Sequence, residues 1–353
     1  FLDKLVLCGR LGFCDKPVIE LMHLCHPISF NQTTKDCDFE VFDAFHAAPI
    51  DIKKQVLQIK NLHLKNFIKR MIPEIKIYDT QFSHSGQGSF GAGDLKLEPT
   101  HFSWCRGEES KGDIIFITES GYHLVDQFKE PIKILLIIES PLINPQIYAD
   151  LHNPKKYNKF TYILTFSKEL VKINPEKFIW YPFGGCWIYE DDRKRYHKSK
   201  NLSIVASAKM ITEGHKLRHA AIASFKSQIQ GIYGNGYQFV KNKLEALHDY
   251  RYSIVIENDN HDAMFSEKII DCFVTGTIPI YWGCASIGDY FNRSGVLSFN
   301  NIGELERILK IANENYYNQN ISAVEENFHK AMQYTLPEDW IWQNFLEGIY
   351  KMT

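Results

Sequence analysis

The chain has 353 residues, 44% hydrophobic and 14% aromatic, with 24 Phe and 18 Tyr, enough apolar side chain for more than one core, so two domains are expected and long disorder is excluded. Its 40 Lys and Arg stand against 42 Asp and Glu, a formal charge of -2, which removes the overall attraction that a sequence-independent nucleic-acid binder needs and leaves any anion site to be built locally. No apolar run reaches the roughly 18–20 residues that span a bilayer.

Along the chain, residues 1–50 carry the stretch VIELMHLCHPISF, broken by Pro27, and then the polar NQTTKDCDFE; the pattern assigns them no role. The start lacks a signal-peptide pattern, and because it opens on Phe1 rather than Met a removed leader or anchor stays open. A cytoplasmic protein is expected, with peripheral membrane contact as an option. Next, IKKQVLQIKNLHLKNFIKRMI places Val56, Ile59, Leu62, Leu64, Phe67 and Ile68 near helical spacing before Pro73. This predicts a basic amphipathic helix packed on its own domain in preference to a membrane.

Five apolar runs follow: KIYDTQF around Tyr78, DIIFITES from Asp113, IKILLIIESP from Ile132, FTYILTF from Phe160 and FIWYPFG from Phe178. Being β-branched, nearly continuous and separated by crossover-length stretches, they predict buried parallel strands in an α/β layer. SHSGQGSFGAGD, with Gly86, Gly88, Gly91 and Gly93, fits neither a P-loop nor a dinucleotide fingerprint; a surface loop is expected, acceptor contact being the alternative. The charged DDRKRYHKSK from Asp191 reads as a linker. Beyond it, strand NLSIVAS, helix TEGHKLRHAAIASFKSQI, strand YRYSIVIEN, helix SEKIIDCFVTG ending at Gly276 and strand TIPIYWG repeat the βα alternation. Two Rossmann-like lobes facing each other are expected. The eight cysteines, Cys8, Cys14, Cys25, Cys37, Cys105, Cys186, Cys272 and Cys284, form no CxxC pair. No zinc site and reduced thiols are therefore expected, with a disulfide among the first four possible in an oxidising compartment.

The densest chemical pattern runs from Ser253 to Gly283. A buried strand delivers Glu257 and Asn258 at its carboxyl end, and Glu267 and Lys268 open the next helix. Ligands of open α/β sheets bind outside the carboxyl ends of strands, and a helix start offers free N–H groups and a positive dipole end. Lys268 is thereby placed to meet a diphosphate and Glu267 to accept from ribose hydroxyls, the alternative being a solvated first turn. Arg218, near another helix start, offers a guanidinium for phosphate oxygens. His215 and His219, one helical turn apart, lack a third metal ligand and read as first-turn surface or phosphate contacts.

The segment ENDNHDAMFSEKIIDCFVTGTIPIYWGCASIGDYFN closely resembles the donor-binding signature of glycosyltransferase family 10, the α-1,3/4-fucosyltransferases: a strand ending in EN, an E-K pair at a helix start, then a G-x-[IV]-P-[IV]-x-x-G strand. LLIIESPLINP and the stretch from Phe160 through YPFGG resemble its N-lobe and interlobe segments, so the resemblance spans about Ile132 to Leu309. It implies an α/β fold of GT-B architecture, two facing Rossmann-like domains with a cleft between them. Residues 1–195 would form the N-terminal acceptor-binding domain and residues 196–353 the C-terminal nucleotide-sugar domain, whose last helix, near Trp340, has the option of packing back on the first.

The implied reaction is inverting α-1,3 transfer of L-fucose from GDP-fucose to a hydroxyl of an oligosaccharide or glycoconjugate acceptor. The donor would be bound by Arg218, Glu257, Asn258, Glu267 and Lys268. Glu139, of the E-S-P segment, would be the base: at the carboxyl end of an apolar strand it faces the cleft from the opposite lobe, and partial burial raises its pKa. The alternative is a carboxylate capping the turn at Pro141. Lys268 and Arg218 neutralise the departing diphosphate, so no metal and no cofactor is required, and no nucleic-acid partner is expected. The C-terminus lacks the cysteine pairs of animal members, and DAMFSEK places Met264 and Phe265 before the E-K pair, which points to a bacterial-like or viral-like member. Two rivals remain open: a GT-B enzyme using another nucleotide sugar, and a catalytically silent glycan-binding module, against which the retention of Glu139, Arg218, Glu267 and Lys268 argues.

Overall fold

The computed structural model describes residues 72–80, 99–107 and 112–350. The segment 1–50 with its four cysteines, all but the last residue of the helix expected before Pro73, and the glycine-rich stretch from Gly86 to Gly93 lie outside the described residues. The chain divides into two compact units, Phe1–Glu74 with Glu98–Ser103 and Ile75–Leu97 with Trp104–Thr353. Within the smaller unit, the Ser103 amide donates to the Pro73 carbonyl at 3.1 Å. Apart from the end residues Glu74 and Ser103, the strands of both sheets belong to the larger unit.

The first sheet has the order β2-β1-β3-β4-β5-β6, from β1 Glu74–Tyr78, β2 Ser103–Cys105, β3 Ile114–Thr118, β4 Ile132–Leu136, β5 Tyr162–Thr165 and β6 Phe178–Trp180. The pairs β1–β3, β3–β4, β4–β5 and β5–β6 are parallel, as the nearly continuous apolar runs predict for strands covered on both faces. Ile115, Ile117, Leu135, Ile137, Ile163 and Phe178 form its core. The second sheet has the order β11-β10-β9-β7-β8, from β7 Lys200–Val205, β8 Gly231–Tyr233, β9 Tyr250–Ile256, β10 Ile278–Trp282 and β11 Leu297–Ser298, again with parallel pairs. Two parallel Rossmann-like α/β layers are the plan of the GT-B architecture. The sequence reading missed β2, β8 and β11, which are too short to carry a periodic signal.

Two helices matter most. α1, Glu213–Phe225, links β7 to β8, and α2, Glu267–Phe273, links β9 to β10. α2 stops short of Gly276 because the Thr275 hydroxyl donates to the Asp271 and Cys272 carbonyls at 2.8 and 2.9 Å. The chain then reverses at Gly276, whose φ of 71° is strained for any residue with a Cβ. Late in the chain, α3, Pro337–Ile341, returns to the first sheet. There Trp340 packs 5.8 Å from Trp180 and 5.4 Å from Tyr181, and Trp104 Nε1 donates to Glu338 at 2.7 Å. Among the described residues no helix is long and apolar enough to cross a membrane.

Candidate active site

The start of α1 is pressed onto the end of β9. A Cβ on Gly214 would lie 1.8 Å from the Glu257 carbonyl oxygen, so only glycine permits the approach, and the Gly214 amide donates to the Asn258 carbonyl at 3.3 Å. One turn later Arg218 reaches under the strand end. Its Nε and Nη2 donate to the Ile256 carbonyl at 2.9 and 2.6 Å, and Nη2 also donates to Asn258 Oδ1 at 2.9 Å. Burial lowers the Arg218 pKa, against the pull of Glu257 and Glu267. Gly214→Ala is therefore expected to destabilise the fold by about 1–3 kcal/mol, an overpacking cost, and to displace Arg218. A denaturant titration checks this; an unchanged midpoint would show that the helix start yields freely.

Glu257, just past β9, is fully buried. Its carboxylate accepts from the Ser266 amide at 3.0 Å and the Ser266 hydroxyl at 2.6 Å. Ser266 caps α2, and Lys268 Nζ is anchored there, 2.9 Å from Ser266 Oγ and 3.2 Å from each of Glu257 and Glu267. Burial opposes ionisation of Glu267, but the charges of Lys268 and Lys243 and hydrogen bonds from Lys268 and Ser266 outweigh it and bring its pKa down to about 2. Burial likewise opposes the charge on Lys268, and Glu257 and Glu267 reverse the sign, raising its pKa. The YPFGG turn holds this helix start from the first sheet's side: Gly184 bridges to Ser266, and the Gly185 amide donates to the Tyr334 carbonyl at 2.7 Å.

A cavity of about 240 Å³ opens at the carboxyl ends of β7 and β9, lined also by Arg218, Lys243, Glu267 and Lys268. Three of the expected donor residues thus meet in one recess. Glu257 and Asn258 do not line it; their contacts hold Lys268 and Arg218 in place. Lys243, which the sequence reading missed, pairs with the buried Asp271 at 2.6 Å, and Asp271 also accepts from the Trp187 amide at 2.7 Å. It stands in an unremarkable polar stretch, KNKLEALH, and no spacing marks it.

Glu139 lies three residues beyond the end of β4 rather than on it. The Ile137 amide still pairs with the Leu164 carbonyl at 2.9 Å, but the Ile138 and Glu139 amides turn to the Glu119 carboxyl, which accepts both at 2.5 and 2.7 Å. The turn after Glu139 is closed by the Ser140 carbonyl, which accepts from the Ile143 and Asn144 amides. Among the described residues the Glu139 side chain makes no hydrogen bond, contrary to the capping alternative. Burial raises its pKa; Lys268 and Lys209 of the second sheet's side lower it and Glu267 raises it further. The carboxylate therefore sits in the field of the residues that line the cavity. Glu119 itself is buried, with Oε2 sealed and unpaired, and burial pushes its pKa up to about 7 against the amides of Glu139 and Ile138. The sequence carried a usable signal for it: like Glu139, it is an acid directly after a buried apolar run.

His215 is a buried residue, not first-turn surface. His215 and His219 also do not form a metal pair: His215 Nδ1 meets Thr212, while His219 contacts the Tyr237 hydroxyl at 2.7 Å and the Lys209 carbonyl at 3.2 Å. Among the described residues no three His, Cys, Asp or Glu side chains gather as metal ligands, and Cys105, Cys186, Cys272 and Cys284 are free thiols.

No family model matches the chain. It is 45% identical over 53 residues to the α-(1,3)-fucosyltransferase FucT of Helicobacter pylori, a match covering 15% of this chain and 11% of that protein. A crystal structure of an α1,3-fucosyltransferase aligns over 75% of this chain and 90% of its own at 17% identity with a TM-score of 0.45. One with GDP aligns over 76% and 93% at 16% identity with a TM-score of 0.44.

Proposed function

We propose that this chain, whose segment from Glu257 to Asn292 resembles the donor signature of the family 10 glycosyltransferases, is a glycosyltransferase that moves L-fucose from GDP-fucose to a glycan hydroxyl with inversion. The observation that carries the reading is the convergence of Arg218, Glu267 and Lys268 on one recess, with the unpaired Glu139 carboxylate in their field. The local identity to a fucosyltransferase supports it.

In this mechanism Glu139 takes the proton of the acceptor hydroxyl as its oxygen attacks the anomeric carbon from the face opposite the nucleotide. The bond to the β-phosphate oxygen breaks, its electron pair stays on the diphosphate, and the charges of Lys268 and Arg218 stabilise the leaving group. These cations do the work a divalent ion would otherwise do. Glu257, Ser266 and Asn258 act by holding them.

A donor panel tests the assignment. GDP-fucose is expected to be turned over and hydrolysed in preference to UDP- and ADP-sugars, GDP is expected to raise the melting temperature, and EDTA is expected to leave turnover largely intact. Equal protection by UDP and GDP would overturn the guanine assignment; a metal-reversible loss in EDTA would overturn the cation mechanism.

A further inference from the structure

His215 has one ring nitrogen in use and one free. Nδ1 accepts from the Thr212 amide at 3.2 Å and lies 2.6 Å from the Thr212 hydroxyl, which itself accepts from the His215 amide at 3.3 Å. A nitrogen that accepts from a main-chain N–H carries no proton, so the proton of the neutral ring is on Nε2. Among the described residues Nε2 has no hydrogen-bond partner, and it is not among the sealed, unpaired atoms.

The ring stands in a ring of positive charge. Burial lowers its pKa, and Arg218, Lys209, Lys268 and His219 lower it further. Protonation would also have to occur at Nδ1 and break the cap. The imidazole is thus held as an uncharged N–H donor among cations. His215 does not itself line the recess; it stands one helical turn before Arg218, which does, at the start of α1, the end pressed onto the Glu257 carbonyl. A diphosphate held by Arg218 and reaching toward this helix start meets the free Nε2–H.

We propose that His215 binds the diphosphate of the nucleotide sugar, donating a hydrogen bond from Nε2 to an oxygen of the β-phosphate. The proposal rests on the donor reading above. It makes His215 a donor-positioning residue with two separable tasks, the cap through Nδ1 and the phosphate through Nε2.

Two isosteres separate them. In His215→Asn, Oδ1 replaces the Nδ1 acceptor and nothing replaces Nε2; in His215→Gln, the side-chain amide reaches the Nε2 position and the cap is lost. By titration calorimetry with GDP and GMP, His215→Asn is expected to bind GDP about tenfold to a hundredfold more weakly, to bind GMP as the wild type does, and to melt near wild type without ligand. His215→Gln is expected to melt lower and to keep most of its GDP affinity, which decides the matter should His215→Asn fold poorly. Wild-type GDP binding by His215→Asn, or equal losses for GDP and GMP, overturns the proposal while leaving the donor reading intact. If the wild type takes UDP instead of GDP, the guanine assignment falls and the same comparison with UDP and UMP decides His215. A wild type that binds no nucleoside diphosphate overturns both.

Discussion

Glu139→Gln is expected to lower turnover by about a hundredfold to ten-thousandfold, the usual cost of removing a general base, while GDP affinity stays near wild type. Glutamine keeps the shape and reach of the side chain and cannot accept a proton. The affinity is spared because an ionised carboxylate offers a diphosphate no hydrogen-bond donor, and Arg218 and Lys268 are anchored on the Ile256 carbonyl and Ser266, not on Glu139. Stability is spared because the carboxylate makes no hydrogen bond among the described residues, and the replacement removes a charge that burial penalises. In the wild type, turnover requires the ionised carboxylate, so the rate should rise with pH through a pKa above the ordinary carboxylate value, and this limb should vanish in the variant. Kinetics and a melting curve on one preparation decide the point. Near-wild-type turnover by folded Glu139→Gln would remove the residue from the mechanism.

The long strands and the two helices at the recess were legible because a buried parallel strand must be apolar nearly throughout and a helix start must be capped. Both demands write themselves into neighbouring residues. Glu267 and Lys268 were readable for the same reason, standing next to their cap after a strand. What escaped depends on contacts across the chain. Lys243 matters through Asp271, and nothing local to either reveals the pair. Glu119 matters because two amides beyond β4 leave the sheet's hydrogen-bond pattern and need an acceptor. Gly214 is indispensable only because the Glu257 carbonyl lies where its Cβ would be. The part assigned to Glu257 also changed with burial: a carboxylate sealed under Ser266 and Lys268 orients the cation rather than meeting a ligand.

Lys268→Met is expected to abolish detectable GDP binding and to lower stability at neutral pH by about 3–5 kcal/mol, the cost of removing one partner from a buried ionic group. Methionine fills much of the same volume, so the loss is electrostatic: Glu257, with a side chain 1% exposed, and Glu267, 17% exposed, are left facing each other across the vacated ammonium. The pH dependence identifies the cause. In the wild type the Glu267 pKa is depressed from 4.5 to about 2. A depressed carboxylate contributes stability that is fully present above its unfolded value and is lost as the pH falls through the folded one, here about 3 kcal/mol between roughly pH 5 and pH 2. Without Lys268 the Glu267 depression shrinks to what Lys243 and Ser266 sustain, burial pushes that carboxyl upward, and its protonation relieves the repulsion between the two acids. The stability gap between wild type and variant should therefore narrow as the pH falls from 7 to 3.5. Urea titrations at pH 7, 5 and 3.5 measure it: a gap that stays constant would mean that Lys268 stabilises the helix start by packing, and that the Glu257–Lys268–Glu267 cluster is not the electrostatic centre of the recess.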